Sequence, residues 1–380
     1  MTYVAWQMLT TDRAKYLGLI FTIAFSTFLM SQQTSIFLGL MNRTRSQISD
    51  VRDADIWVMD PKTQYLDEVK SLPDQDLHRI RGVTGVEWAV PLLKSVARAK
   101  VHSDGRFRAV ILMGIDDGSL IGAPHNMAVA NFDALREPDS IIIDRVGFEF
   151  FFPGEPLSTG KQIEINDHIL RIVGICNSAA PFVNLPVAYT RYSIALGLVG
   201  QERNLMSFIL AKASPGITKS ELVQRIREAT QLRALTGEQF GWETILYYIK
   251  HTGIPINFAI TVIVSLIVGT VVAGQTFYLF VLENMKQFGA LKAIGVTTRR
   301  IVRMVLLQAM VVGAIGYCIG IAMTAAFFEV TKGSLDLRGF YLPQQVMAGV
   351  AGIVLVIVAL ASFMSVRRVA VLEPAVVFRG

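Results

Sequence analysis

Charged residues are scarce in this chain. Asp, Glu, Lys and Arg make up 17% of its 380 residues, whereas hydrophobic residues make up 52%. An ordinary soluble domain carries about 25% charged residues, and the mean hydropathy here is +0.46. This composition excludes a typical soluble protein and predicts an integral membrane protein.

Cysteines and the common catalytic motifs are also scarce. The chain has two cysteines, Cys176 and Cys318, and the second falls inside a predicted membrane span, so we expect no disulfide framework. The five histidines show no metal-binding spacing, and no G-x-x-x-x-G-K-[ST] phosphate-binding loop is present. The sequence therefore predicts no catalytic site, no metal site and no cofactor bound by this chain itself.

Long apolar runs are what the chain has instead. A membrane-spanning helix needs about 20 mainly apolar residues. The segments that meet this length are 16–41, 255–282, 301–330 and 346–364. The apolar part of the first, 17–30, also has the length of a signal-peptide core. We favour an uncleaved span because apolar residues resume at 36–41 and no A-x-A-like cleavage site precedes the polar residues in between.

The positions of the basic residues predict the orientation in the bilayer. Between the second and third spans and in the first turn of the third, there are five Lys and Arg residues, Lys286, Lys292, Arg299, Arg300 and Arg303, and one acid, Glu283. Short loops rich in Lys and Arg stay in the cytoplasm. This places a loop at 283–300, an interfacial helix at 1–15 and a tail at 365–380 in the cytoplasm, with a short loop at 331–345 outside. The net charge of +6 then reflects membrane orientation, and we expect no nucleic-acid partner.

Residues 42–250 form the predicted extracytoplasmic domain, which is mixed α/β. Asp74 is predicted to cap a helix at 74–81, and Thr218-Lys-Ser-Glu221 has the capping-box pattern of a second helix start. The Asp-Gly pair in His102-Ser-Asp-Gly105 predicts a hairpin turn. A subdomain is predicted at about 121–200, where turn residues are more frequent. Predicted strands lie at 53–60, 86–101, 107–115, 140–144, 162–165 and 169–176.

Small residues line parts of the last two spans. They allow helix backbones to approach closely in lipid, so these positions predict helix packing or contact between subunits. The residues are Gly313, Gly316, Gly320, Ala348 and Gly352. No span carries a central Asp, Glu, Lys or Arg, which ion-coupled carriers usually need at membrane depth. The fold class predicted is an α-helical membrane protein with four transmembrane helices plus a mixed α/β extracytoplasmic domain.

This layout resembles the FtsX-like, MacB-type permeases of ABC transporters. Glu283-x5-Gly289-Ala-Leu-Lys-Ala-Ile-Gly295 is similar to the family's cytoplasmic signature E-x5-G-x-L-[RK]-A-[IL]-G. Arg367-Arg-Val-Ala-Val-Leu-Glu-Pro-Ala375 resembles its basic segment followed by [DE]-P-[AL], although Val376-Val-Phe-Arg379 has one extra residue before the arginine. Gly82–Val86 and Val110–Gly114 resemble opening strands of the MacB-like periplasmic domain, and Asp53–Asp60 points more narrowly to DevC-type permeases.

The resemblance implies a subunit of the bacterial inner membrane that is not itself an enzyme. A separate cytoplasmic ABC ATPase, which holds ATP and Mg, would bind the loop after the second span. A second permease subunit as a homodimer, a periplasmic membrane-fusion adaptor and a TolC-like outer-membrane channel would complete an export complex. Members of this kind are called mechanotransmitters, because the substrate need not cross through the permease.

The resemblance also assigns roles within the loop. Polar contacts of Glu283 and Lys286 would orient it, and Gly289 and Gly295 would allow a tight turn or close approach, since glycine lacks a Cβ. An apolar face with Lys292 on its rim would meet the ATPase. That face comprises Ala290, Leu291, Ala293 and Ile294. The alternative for the loop is a basic interfacial helix that merely ends the span.

Two other functions stay open for the whole chain. One is an FtsX-like regulator of a periplasmic cell-wall hydrolase, and the other is a lipoprotein-releasing permease. The substrate is equally open, with a glycolipid, a lipophilic drug, a peptide and haem all compatible, because no charged or aromatic cage marks a binding site.

Overall fold

The computed structural model describes residues 13–101, 105–199, 206–332 and 337–371, with side chains from 16 to 363 within these ranges. Two compact units share them. One lies within Met1–Gly39 and Gly253–Gly380, and the other is Leu40–Thr252. Of the predicted interfacial helix and tail, residues 1–12 and 372–380 lie outside the described residues, as do 102–104 of the predicted hairpin turn.

Helix α1 (Arg13–Thr44) leads from the first unit into the second. The second unit contains ten strands, six helices and a short 3-10 helix at Phe132–Arg136 among its described residues. Its helices are α2 (Ser46–Asp50), α3 (Asp74–Arg81), α4 (Arg145–Phe151), α5 (Tyr192–Leu198), α6 (Lys219–Thr230) and α7 (Gly237–His251). Its strands are β1 (Ile56–Met59), β2 (Val86–Lys100), β3 (Arg108–Ile115), β4 (Met127–Val129), β5 (Ser140–Asp144), β6 (Gln162–Ile165), β7 (His168–Cys176), β8 (Val187–Arg191), β9 (Phe208–Ala213) and β10 (Arg233–Thr236).

The strands form one sheet in the order β10-β1-β9-β2-β3-β8-β5-β7-β4, with β6 pairing both β2 and β7. The pairs β3–β8 and β5–β7 are parallel, and the other ladders are antiparallel. Strand β2 is long enough to pair with β9 along its first part and with β3 along its second. Strands from the segment 121–200 therefore join the same sheet, because β8 pairs directly with β3.

The helix caps of this unit differ from expectation in two places. The predicted cap at Asp74 is wrong, because Pro73 is the N-cap residue and Asp74 is the first acid of the helix, where the helix dipole favours negative charge. Thr218 Oγ1 accepts from the Glu221 N–H at 3.2 Å, but the Glu221 carboxylate accepts from Arg225 at 2.6 Å. Because Arg225 lies one turn away, the box stays half formed.

The first unit is completed by four more helices: α8 (Ile254–Glu283), α9 (Met285–Ala293), α10 (Thr298–Thr331) and α11 (Gln344–Val371). Among the described residues, four helices are long and apolar enough to cross a membrane, at Tyr16–Thr44, Ile254–Glu283, Thr298–Thr331 and Gln344–Phe363. In a bilayer core a helix satisfies every backbone polar group within the segment. The chain is thus a membrane protein with four spans and a mixed α/β extramembrane domain.

The glycine face of α10 packs within the chain. A Cβ on Gly320 would lie 2.5 Å from the Ala24 carbonyl oxygen of α1, and one on Gly316 would lie 2.8 Å from Ile23. Gly313 faces Val358 of α11 in the same way, at 2.6 Å. Next to this contact, the hydroxyls of Ser31 and Thr324 are hydrogen-bonded at 2.6 Å. These close approaches hold α1, α10 and α11 together.

The small residues of α11 are placed differently. Ala348 and Gly352 are exposed, and a Cβ added to Gly352 would meet no atom within 4 Å. The predicted small-residue positions therefore divide into two groups. Those on α10 are occupied by packing inside the chain, and those on α11 remain accessible to lipid or to another subunit.

Replacing Gly320 by alanine should destabilise the membrane unit, because the added methyl overlaps atoms of α1. Overpacking of this kind costs about 1–3 kcal/mol, so the Tm of the full chain in detergent should fall. Gly352→Ala is the matched control, and it should leave the Tm unchanged or slightly raised, since alanine favours helix. Equal Tm values for the two variants would contradict this packing.

Candidate functional site

The short helix α9 lies between two spans and begins at a break formed by Asn284. This residue ends α8 and starts α9. Its side-chain Nδ2 donates to the Phe280 carbonyl at 2.8 Å, and its own carbonyl accepts from the Phe288 N–H at 3.0 Å. Asparagine thus satisfies a free carbonyl of one helix while starting the next.

Helix α9 ends in a Schellman turn at Gly295. The Val296 N–H donates to the Leu291 carbonyl at 3.0 Å, and the Gly295 N–H donates to the Lys292 carbonyl at 3.1 Å. Gly295 has a φ of +93°, a region that residues with a Cβ rarely adopt. Leu291 and Val296 both pack partly buried against the helix core, which is the apolar contact expected of this turn.

Phe288 anchors α9 to the membrane unit. Its side chain is fully buried in a cluster with residues of α8 and α10, including Val281 and Ile301. Gly289 beside it is also buried. Sequence reasoning missed Phe288, because it falls on an unspecified position of the signature. The pattern did carry a sign of it, since Met285, Phe288 and Leu291 lie three residues apart on one helix face.

The predicted site residues divide between the two sides of α9. Ala290, Leu291 and Lys292 are half-buried, so Leu291 is turned toward the helix core rather than fully outward. Ile294 is 82% exposed and is the most exposed large apolar side chain of this segment. The other exposed members are Glu283, Lys286, Ala293 and Gly295.

Basic residues lie on both sides of Ile294 in the sequence. Arg299, Arg300 and Arg303 are exposed at the start of α10, whose first turn carries no acid. The N-terminus of a helix already has a partial positive charge, and cations there are destabilising by a few tenths to about 1 kcal/mol. Together with exposed Lys286, this arrangement suits an acidic protein surface. Within the described ranges, no group of three or more His, Cys, Asp or Glu could hold a metal ion.

Comparison with known families shows which family the chain belongs to. The sequence profile described as the MacB-like periplasmic core domain matches residues 17–229, which is more than half of the chain. The chain belongs to the MacB-type, FtsX-like ABC transporter permeases. The profile described as the FtsX-like permease C-terminal matches residues 259–374, and this range contains α9 and its Schellman turn. Membership of this permease family implies an ATPase partner.

Curated relatives agree with this assignment. An uncharacterised ABC transporter permease of Mycobacterium tuberculosis is 25% identical over 370 residues, 95% of each chain. The macrolide export ATP-binding/permease protein MacB of Psychrobacter arcticus is 24% identical over 83% of this permease and 49% of that protein. The DevC-type placement stays a prediction, because these relatives do not distinguish it.

Among solved structures, the periplasmic region of MacB from Actinobacillus actinomycetemcomitans is similar to the extramembrane domain. The match has a TM-score of 0.37 and 13% identity, and it covers 54% of this permease and 96% of that chain.

Replacing Gly295 should loosen the end of α9. Alanine at a positive φ costs about 1–2 kcal/mol, and no neighbouring atom lies within 4 Å of an added Cβ, so backbone strain alone should act. The amides of Gly295 and Val296 should exchange with deuterium about fivefold faster or more in Gly295→Ala. Gly295→Asn is the control, since asparagine tolerates this region better, and equal exchange in the two variants would contradict the strain argument.

Proposed function

We propose that this permease couples a separate cytoplasmic ABC ATPase to its extramembrane domain in an export complex. The ATPase holds ATP and Mg, and the permease itself transmits motion and catalyses no reaction. The observation that supports this most directly is Ile294, an isoleucine 82% exposed within the Schellman turn and followed in the sequence by Arg299, Arg300 and Arg303.

The anchoring of α9 makes it suitable for receiving force. Phe288 is buried against residues of both α8 and α10, so displacement of the loop moves both spans rather than bending a free linker. The interior is close-packed, and such interiors transmit strain. The contacts of Gly316 and Gly320 with α1 then link α10 to the first span.

Chain connections lead from these spans to the extramembrane domain. Helix α7 ends at His251 and α8 begins at Ile254, so two residues join them. Helix α1 ends at Thr44 and α2 begins at Ser46, with Arg45 between. Short connections of this kind cannot absorb large displacements. Motion of α1 or α8 should therefore reach the domain.

The proposal includes a second copy of the permease as a homodimer. Accessible surface for such a contact exists on α8, whose isoleucines Ile256, Ile260, Ile263 and Ile267 are each more than half exposed. These residues recur every three or four positions and so share one helix face. Ala348 and Gly352 of α11 add an accessible small-residue surface.

The remaining parts follow the family resemblance. The permease lies in the bacterial inner membrane with both termini in the cytoplasm, an orientation that the basic loop favours. A periplasmic membrane-fusion adaptor and a TolC-like outer-membrane channel continue the export path. Mechanotransmission of this kind leaves the substrate free to move outside the permease itself.

Affinity purification of the tagged permease from its native membrane tests the partner set. We expect an ABC ATPase together with an adaptor protein, identified by mass spectrometry. An ATPase accompanied by a cell-wall hydrolase or a lipoprotein chaperone would move the function to regulation or lipoprotein release. Absence of an ATPase, under conditions that retain a known permease–ATPase pair, would refute the coupling proposal.

Changing Ile294 to aspartate should uncouple the ATPase, because a carboxylate replaces the projecting apolar contact. Truncating a central interface anchor commonly costs at least about 2 kcal/mol, or roughly thirtyfold in affinity. Co-purification and stimulated ATP hydrolysis should both fall, while Ile294→Leu should retain them. Ile294 tests this better than Leu291, since Leu291 also packs against the helix core.

Ile169→Asp supplies a matched control in the extramembrane domain, where the side chain is 61% exposed. It should leave ATPase binding intact. If Ile294→Asp copurifies with the ATPase as well as Ile169→Asp does, Ile294 is not part of the contact.

A further inference from the structure

A cleft in the extramembrane domain contains a buried charge that the coupling mechanism does not use. Its volume is about 370 Å³, and Lys94 of β2 and Asp67 lie on its surface. The Lys94 side chain is 6% exposed, and its ammonium contacts the Asp67 carboxylate. A buried lysine in the middle of a strand is costly unless it is paired. Asp67 supplies that pairing here, and the pair lies on the surface of a cleft.

The cleft opens where two strands separate. The β2–β9 ladder ends at the pair Leu92–Phe208. Just beyond it, the Lys94 N–H donates to Ser207 Oγ at 2.8 Å, and the same hydroxyl donates to the Lys94 carbonyl at 3.1 Å. Ser207 thereby satisfies the backbone of β2 where a strand partner is missing. The side chain of Lys94 is left at the base of the opening.

The walls of the cleft are apolar. Val96 and Val183 are each 52% exposed, although apolar side chains of this kind are usually buried. Exposed apolar groups around a few polar ones are typical of small-molecule sites. The apolar lining residues are Val69, Val96, Ile111, Pro181, Val183 and Leu185.

Aromatic residues of α7 pack against neighbours of the lining residues. Tyr65, two residues before Asp67, stacks on Tyr247 with ring centroids 4.1 Å apart, and Phe182, between Pro181 and Val183, packs on Tyr248 at 4.4 Å. The Tyr248 hydroxyl donates to Asp67 Oδ2 at 3.1 Å. Burial raises the pKa of Tyr248, so the hydroxyl stays protonated as a donor. The cleft is therefore built on the helix that leads into α8.

The polar floor favours a ligand with an oxygen acceptor. Of the three donors of the Lys94 ammonium, two have acceptors in the described part of the chain, Asp67 and the Leu66 carbonyl at 3.5 Å. Burial lowers the pKa of Lys94 even though Asp67 favours its charged form. A further acceptor would stabilise the ammonium. Because Lys94 and Asp67 already neutralise each other, a neutral oxygen suits the floor better than a second carboxylate.

We propose that this cleft binds a small, mainly apolar molecule through a neutral carbonyl or ester oxygen that accepts from Lys94. A cavity of about 150 Å³ holds benzene, so about 370 Å³ suits an aromatic ring with a short chain. The inference deepens the proposed function and rests on it only in assigning this ligand class to the exported substrate. The binding itself requires neither ATP nor a partner.

The test uses the full chain in lipid nanodiscs with a cysteine reporter at Val69→Cys in a Cys318→Ser background. Cys176 is fully buried, so labelling by a water-soluble maleimide reports on the cleft, and labelling of Cys176 reports unfolding. The probes are methyl 4-phenylbutanoate, its free carboxylate and butylbenzene. The ester should protect the reporter at a concentration about tenfold or more below that needed for butylbenzene, because it adds a hydrogen bond to a charged group.

Two further variants make the outcome decisive. Val183→Trp should fill the cleft and abolish protection, whereas Ile169→Trp, an exposed position on β7 outside the cleft lining, should retain it. Combined replacement of Lys94→Met and Asp67→Asn should remove the advantage of the ester over butylbenzene.

Equal protection by ester and butylbenzene, stronger protection by the carboxylate, or loss of protection in Ile169→Trp would each overturn the proposal. A variant in which Cys176 becomes labelled is unfolded and is set aside. The probe series in the parent protein and the variants that remain folded then decide the outcome. Since no ATPase takes part, failure here leaves the coupling proposal intact, and failure of coupling leaves this binding result interpretable.

Discussion

The close approach of α1 and α10 at two glycines is the contact on which the membrane unit depends. Lipid provides no hydrophobic drive for helices to associate, so packing and hydrogen bonds must hold them. Gly316 and Gly320 let the two backbones come within the distance where Ser31 and Thr324 can share a hydrogen bond. With α10 fixed in this way, the arginines at its start and the turn before it are held in a defined position.

The segment that contains α9 is consequently an ordered helix and turn anchored to the neighbouring spans. The Schellman turn satisfies carbonyls at the end of α9. On this helix, Phe288 is buried against the neighbouring spans. The exposed charges and Ile294 remain available outside. A surface with a fixed geometry can receive force from a partner without first losing conformational entropy, which is the advantage of preorganisation.

In the extramembrane domain, β2 has two roles that follow from its length. It joins the two parts of the sheet through its ladders with β9 and β3, and between these ladders it presents Lys94 to a cleft. The aromatic residues of α7 pack on Tyr65 and Phe182, which are close in sequence to lining residues, and Tyr248 also donates to Asp67. The helix that precedes a membrane span therefore also supports the pair formed by Asp67 and Lys94.

The sequence by itself determined the class of protein and its four apolar helices, and it predicted a partner contact at residues 283–295. These features depend on local properties. They are the length of each apolar run, the distribution of basic residues, and Gly295, which takes the positive φ that the turn after α9 needs. Short strands such as Ser140–Asp144 and Gln162–Ile165 could be predicted because alternation and flanking turn residues are also local.

Only the tertiary structure decided which side of each element is occupied. It showed that the glycines of α10 are used inside the chain, while Ala348 and Gly352 are exposed. It also turned Leu291 partly inward, left Ile294 outward and paired Lys94 with Asp67, 27 residues apart in the chain. The physical reason is that burial and pairing depend on neighbours distant in sequence, and a helix or strand pattern alone does not specify them.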